Sequence, residues 1–400
     1  MRYKFILFLI LGIDAFVLFY ETSHISISSS GASLLYGGFS FVQLLVKSSL
    51  HIFGQNDFGL RFVFIVLHLL SALLIYTISD RYLKSERNRL WLVLIFVLLP
   101  GVVSAAMMVN HAAFIIFGLL LYIYLEEKIS PFLINILLFF YALIDVGFVY
   151  LFLGLAFYYL FHKNMKYFFY NIGLFILSSS LYGFDVYGAP SGHFLDTIGI
   201  YSAIFTPVIF IYLVYVLYRL YLVEKKEKLW YISATALLFS LIISLRQRVE
   251  IEHFAPYLII ALPLAAQTFA TSYRVRLKEY RGGYRAIFIA AFLLLIANTL
   301  LVFFNKELYL VLDNPKKNFA YNVNIAKELA EHLKAKAITC VESDPKMQER
   351  LRFYGIAKCK DNKLIELPLE SKKPSDVTIR YKNKILYRAV VTKLNNKQSK

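Results

Sequence analysis

Just past its first apolar stretch the chain reads Tyr20-Glu21-Thr22-Ser23-His24. A carboxylate with an imidazole three residues on, at the mouth of a helix bundle, is suited to removing a proton from an acceptor hydroxyl or amine. That makes Glu21 a candidate general base and His24 its companion. The plainer reading is that Glu21 simply ends a helix among the lipid headgroups.

Much later comes Arg246-Gln247-Arg248-Val249-Glu250-Ile251-Glu252-His253. A guanidinium grips phosphoryl oxygens through a fork of N–H donors, so Arg246 and Arg248, with His253 close behind, suit a phosphate or pyrophosphate at a membrane surface. The same arginines would equally serve to pair with Glu250 and Glu252, or with lipid headgroups.

Other polar residues stand near these two segments. Asp57, Arg61, Asn110 and His111 are candidates to line a cavity. Asp14, Arg61, His68 and Arg219 lie near or within apolar runs, where an ionisable group is costly and usually faces the protein interior. Asp14 reads as an ion-paired helix anchor, with a proton or ion relay as the alternative. Asp145 marks a hairpin tip. Asp185, His193 and Asp196 flank the flexible turn Tyr187-Gly188-Ala189-Pro190-Ser191-Gly192. Each of these, taken singly, fits a structural role. The sequence has no Walker loop, dinucleotide fingerprint, Cys/His metal cluster or nucleophile elbow, so neither a soluble cofactor nor a metal site is expected.

The elements that must hold these residues are dictated by composition. Of 400 residues, 59% are hydrophobic and only 17% charged, against about a quarter charged in soluble domains. Mean hydropathy is +0.60. The apolar residues are concentrated in long runs such as Ile65–Ile78 and Ile287–Phe304. Runs of roughly 18 residues or more span a bilayer core of about 30 Å as helices, because lipid offers no partner to a free backbone amide. Residues 3–20 follow Arg2 and Lys4 but lack a small-x-small cleavage site, so they count as the first span and not as a signal peptide.

Apolar runs predict about eleven spans, near 4–20, 60–79, 90–109, 112–125, 130–144, 146–161, 167–183, 199–221, 229–245, 255–272 and 286–304. The short fifth and sixth meet at Asp145 as a tilted or re-entrant hairpin. Lys and Arg in the loops then set the orientation: 18 lie on one side and 3 on the other, which places the basic side in the cytoplasm. The opposite face carries the long loop 21–59 and the shorter loops 184–198 and 246–254. Within the long loop, Ile25–Tyr36 and Phe39–Phe53 are amphipathic enough to lie along the interface as two helices.

An odd number of spans places residues 305–400 beyond the cytosol. Here charges are dense and apolar runs short, the pattern of a small soluble α/β domain. Helices are expected over Asn318–Lys336 and Pro345–Tyr354, the second behind an Asp344 cap. Ala337–Val341 and Ile356–Cys359 read as strands, and Val377–Lys393 as a hairpin turning at Lys382-Asn383-Lys384. The only two cysteines, Cys340 and Cys359, end two strands joined by one helix. In an oxidising compartment they form a disulfide, and otherwise they are two buried thiols. The net charge of +17 does not indicate nucleic acid, because 18 basic residues sit in the loops that set topology. The tail's surplus of basic residues would attract anionic headgroups or an acidic glycan.

Several segments resemble the GT-C glycosyltransferases that use polyprenyl-phosphate sugars, in particular the protein mannosyltransferase and aminoarabinose transferase branch. The stretch Phe53-Gly54-Gln55-Asn56-Asp57-Phe58-Gly59-Leu60-Arg61 looks like that family's approach to its second span. The segment RQRVEIEHFAPYLIIALP, Arg246–Pro263, looks like its basic loop leading into a Pro-containing span. The resemblance covers roughly residues 1–305 and implies a GT-C-like, all-α polytopic membrane domain over 1–305, followed by an extracytoplasmic α/β domain over 306–400. It implies a membrane glycosyltransferase that takes a hexosyl or pentosyl unit from a polyprenyl-phosphate carrier to a glycan, lipid or protein acceptor, most naturally in the cell envelope at a bacterial inner membrane. The lipid-linked sugar would be the co-substrate, with no cofactor, and a divalent metal is left open. Glu21 would act as base or position the acceptor, with Arg246 and Arg248 on the donor phosphate and His253 beside them.

The chain departs from that family in three places, the first being that the Lys-Pro-Pro run common in the aminoarabinose branch is absent near Gly37–Val42. Tyr20-Glu21 stands where the family has Asp-Glu, and Asn110-His111 replaces a second acid after the third span. If that acid is indispensable, the chemistry here is altered or lost. The alternative is a non-enzymatic lipid-glycan transporter or scaffold with a soluble docking domain. Transporters favour broken helices in repeated halves, and Pro100-Gly101, Pro207 and Pro263 show no such pairing.

Overall fold

A computed structural model describes residues 2–183, 192–224, 226–370 and 374–393. Asp185, Lys225 and most of the Tyr187–Gly192 turn fall outside the described residues. The described chain is mostly helical, with one small antiparallel sheet near its C-terminus. Four helical stretches are long and apolar enough to cross a membrane: Arg2–Thr22, Asp57–Arg81, Ile251–Val275 and Lys278–Phe303. Counting each bent helix pair as one span raises the number to seven, and four shorter apolar helices lie between 112 and 244. The chain is an integral membrane protein by this measure.

Two of the expected continuous spans are broken. Helix Glu86–Leu98 meets Pro100–Met107 at 58°, and Phe194–Phe205 meets Pro207–Tyr221 at 106°. In both, a proline opens the second piece, and the residue before a proline is driven out of the helical region. Leu99 is extended (φ −64°, ψ 124°) and Thr206 has φ 63°, a left-handed conformation rare for a branched residue. The third bent pair is Ser29–Tyr36 with Phe41–Phe53, crossing at 91°.

Contacts divide the chain into two compact units. The first comprises Met1–Phe16, Phe64–Ala106 and His111–Thr299. Its helices pack closely enough that a side chain at Gly154 would place Cβ 2.7 Å from the Cα of Ile232. Only glycine lets helix Val149–Phe161 approach helix Lys228–Ser244 to that distance. Deep in this unit, Asp14 Oδ2 and His68 Nε2 lie 2.7 Å apart, so the acid in the first apolar run is paired inside the protein. The Tyr257 hydroxyl donates to Gly147 O at 2.6 Å and accepts from Leu151 N–H at 3.0 Å. One phenol thereby fixes the short 3-10 turn Val146–Phe148 and the start of the following helix.

The second unit comprises Val17–Val63, Met107–Asn110 and Leu300–Lys400. The loop after the first span and the C-terminal segment therefore fold together, and whichever face carries one carries the other. Residues 25–28 are not helical, where a helix was expected. Ser26 N–H donates to Val323 O, Ile27 N–H to the Tyr354 hydroxyl, and Arg350 Nε to Ile27 O. These bonds use the backbone groups that a helix would need for itself. The two helices expected in this loop start after them, at Ser29 and Phe41, each with a serine cap: Ser28 accepts from Gly31 N–H and Ser40 from Gln43 N–H.

The C-terminal segment has a core of Tyr309, Ile325, Leu329, Leu333, Val341, Leu351, Ile356, Ile379 and neighbours. Helix Pro345–Phe353 is capped by Asp344, which accepts from Met347 N–H at 3.0 Å. Helix Ala326–Ala335 starts later than the spacing predicts, because residues 321–323 form a 3-10 turn instead. The sheet consists of β1 (Asn362–Glu366), β2 (Val377–Tyr381) and β3 (Lys384–Lys393), in the order β1-β3-β2 with both pairings antiparallel. The hairpin β2–β3 turns at Lys382, whose φ is 50°. The two strands expected at 337–341 and 356–359 shrink to one parallel bridge, Cys340 to Ala357, and the next residue but one, Glu342, bridges in parallel to Lys363 of β1.

Cys340 and Cys359 are joined by a disulfide with a Cα–Cα distance of 5.5 Å, closing 19 residues of sequence. Loop-closure entropy for a ring of that size is worth about 3 kcal/mol. Replacing both cysteines with serine should lower the denaturant midpoint for proteolytic exposure of the C-terminal segment in the full-length chain. An unchanged midpoint would show that the bridge contributes nothing.

Candidate functional site

In the first unit the basic turn follows helix Lys228–Ser244 and leads into helix Ile251–Ile259. Arg246 and Arg248 both project to the exterior, and among the described residues neither guanidinium has a hydrogen-bond or ion-pair partner. Glu250 does not pair with them. It turns to His253, with Oε2 3.4 Å from Nδ1. Two free guanidinium groups two residues apart are what an anionic phosphoryl group requires.

His253 is largely buried, and among the described residues its Nε2 has no hydrogen-bond partner. Its ring centroid lies 5.6 Å from that of His111, edge to face. His111 precedes helix Ala112–Leu125, and its Nδ1 lies 2.5 Å from Asp145 Oδ2. The other carboxylate oxygen of Asp145 accepts from Gly147 N–H at 2.7 Å, within the turn that Tyr257 secures. Burial opposes a charge on His111, but the hydrogen bond and charge of Asp145, together with Glu252 and Glu250, outweigh it and raise the imidazole's affinity for a proton. Three helix junctions far apart in sequence, at 111, 145 and 253, therefore bring two imidazoles and a carboxylate together.

The remaining candidates lie in the second unit. Glu21 is half-buried in the last turn of helix Arg2–Thr22. His24 is exposed and turned back on its own segment: Nδ1 lies 3.1 Å from Tyr20 O, and the ring sits 4.8 Å from that of Tyr20. Asn110 is half-buried at the edge of this unit. Asp57 and Arg61 are both buried at the start of helix Asp57–Ile78. The Arg61 guanidinium donates to Met107 O at 2.7 Å, Ser26 O at 2.9 Å and Asp57 O at 3.3 Å, and its Nη1 is 3.4 Å from Asp57 Oδ1. The Asp57 carboxylate also meets Lys327 Nζ at 2.9 Å and accepts from the Tyr354 hydroxyl at 2.8 Å. Burial, reinforced by Asp57, pushes the Tyr354 phenol well above its usual range, so it remains a donor.

Sequence reasoning named His111, Asp145 and His253 separately but missed that they meet. No local signal joins residues on three different turns. It likewise gave Asp57 no link to Lys327 or Tyr354, which lie in the C-terminal segment.

No protein-family model matches the sequence, and no curated protein matches it either. Among solved structures the fold is similar to that of ArnT from Cupriavidus metallidurans in the apo state. The TM-score is 0.54 over 98% of each chain, at 11% sequence identity. The likeness is one of fold, and it extends over nearly the whole of each chain.

Proposed function

We propose that the chain is a membrane glycosyltransferase that moves a sugar from a polyprenyl-phosphate carrier to an acceptor on the face opposite its basic loops. The observation that carries this reading is the fold likeness to ArnT from end to end, C-terminal segment included. The unpaired guanidinium groups of Arg246 and Arg248 support it. In the reaction, the acceptor oxygen or nitrogen attacks the anomeric carbon while the bond from that carbon to the carrier phosphate breaks. Arg246 and Arg248, with His253 beside them, stabilise the charge that grows on the departing phosphate. Glu21 takes the acceptor proton or orients the acceptor, with His24 close by. Most of the acceleration comes from positioning the two substrates. The tail, 306–400, is the extracytoplasmic domain in this reading, and an inner bacterial membrane is its natural setting.

General-base groups contribute about 10²–10⁴-fold to rate. Glu21→Gln keeps the shape of the side chain and should reduce sugar transfer from a polyprenyl-phosphate donor by at least about 10²-fold. Transfer is read by mass spectrometry of the glycosylated product, with expression and thermal unfolding unchanged. Full activity in a folded Glu21→Gln protein would remove Glu21 from the mechanism.

A further inference from the structure

We propose that His111, Asp145 and His253 form a binding site for a divalent transition-metal ion of the zinc type. One donor atom from each lies within 4.8 Å of the other two. Zinc bonds to imidazole and carboxylate are about 2.0–2.2 Å long, so donors around one ion lie roughly 3.3–4.2 Å apart, and modest side-chain rotations close the set. The inference shares His253 with the proposed reaction, but its test reads ion uptake and not sugar transfer.

Three observations converge on it. The first is the buried Nε2 of His253, which has no partner, while Nδ1 on the far side of the ring is oriented by Glu250. An imidazole held at one nitrogen by a carboxylate, with the other nitrogen bare, is the usual state of a metal-ligating histidine. The second is that Asp145 is held before any ion arrives: its side chain is 2% exposed, Oδ1 is fixed by Gly147 N–H, and Tyr257 staples that turn. The third is charge. Glu250 and Glu252 flank His253 and form a second group with it, which makes the surroundings favourable to a cation.

An Asp145–His111 ion pair alone accounts for two of the three residues and leaves the His253 nitrogen bare. Two imidazoles and one carboxylate select borderline ions such as Zn2+ over Mg2+ or Ca2+, which prefer all-oxygen shells. Three protein ligands leave a coordination position for water or an anionic group. The Asp145 set is the seat proposed, and the group formed by His253 with Glu250 and Glu252 is not, because the Glu250 side chain is 76% exposed.

The test uses the full-length protein in detergent, stripped with EDTA and then titrated with ZnCl2 by calorimetry. Elemental analysis gives the stoichiometry, and Co2+ replacement gives a ligand-field spectrum. The expected result is one ion per chain, visible Co2+ bands characteristic of nitrogen ligation, and a raised unfolding temperature. His253→Gln and Asp145→Asn should each weaken binding by at least about 10-fold, and by more than Glu250→Gln with Glu252→Gln, which removes only the flanking charge and keeps all three ligands. Each variant is first shown to unfold cooperatively in EDTA, and His253→Gln decides alone if Asp145→Asn does not fold. The proposal is overturned if the wild-type chain takes up no ion, if folded His253→Gln binds as tightly as wild type, or if only the double glutamate variant loses binding.

Discussion

Replacing Arg61 with alanine is expected to cost about 3–5 kcal/mol of stability, the usual loss when one partner is removed from a buried, hydrogen-bonded charge pair. Arg61 is 1% exposed, and its guanidinium satisfies the carbonyls of Met107, Ser26 and Asp57 as well as the Asp57 carboxylate. Truncation leaves these acceptors short of donors inside the protein, and each buried acceptor left bare costs about 1–3 kcal/mol. Asp57 keeps Lys327 and Tyr354, so the loss arises more from the stranded carbonyls than from the carboxylate. Arg61→Lys should recover only part of it, because a point-like ammonium cannot reach three acceptors arranged around a planar fork. Equilibrium unfolding in detergent measures the change. A loss under about 1 kcal/mol, the value of an exposed ion pair, would show that this network does not hold the second unit together.

That network also marks where the sequence was informative and where it was not. Membrane character, the Asp344 cap and the turn at Lys382 all follow from local patterns of polarity and spacing. The pairing of Asp57 with Lys327 and Tyr354 does not, because hydrophobic periodicity reports which face is buried and nothing about which distant polar group meets it. The breaks at Leu99-Pro100 and Thr206-Pro207 were signalled by the prolines, but apolar runs long enough to span outweighed that signal. The strand expected at 337–341 is reduced to isolated parallel bridges at Cys340 and Glu342, the second of them to β1. His111, Asp145 and His253 show the same limit, since each is ordinary on its own turn.

The other large effect concerns the donor. Charge-assisted hydrogen bonds contribute about 1.5–3 kcal/mol each, so Arg246→Ala with Arg248→Ala should weaken binding of a polyprenyl phosphate by about 10²–10⁴-fold. Both side chains are exposed and, among the described residues, make no hydrogen bond or ion pair, so the double variant should unfold at the same temperature as wild type.

Saturable binding of undecaprenyl phosphate to the purified full-length protein in detergent, at fixed ionic strength, tests the donor assignment without knowledge of the sugar or the acceptor. Wild-type protein should bind the carrier, and the double arginine variant should lose that binding while remaining folded. A wild-type chain that does not bind the carrier, or a variant that binds it equally well, would contradict the account.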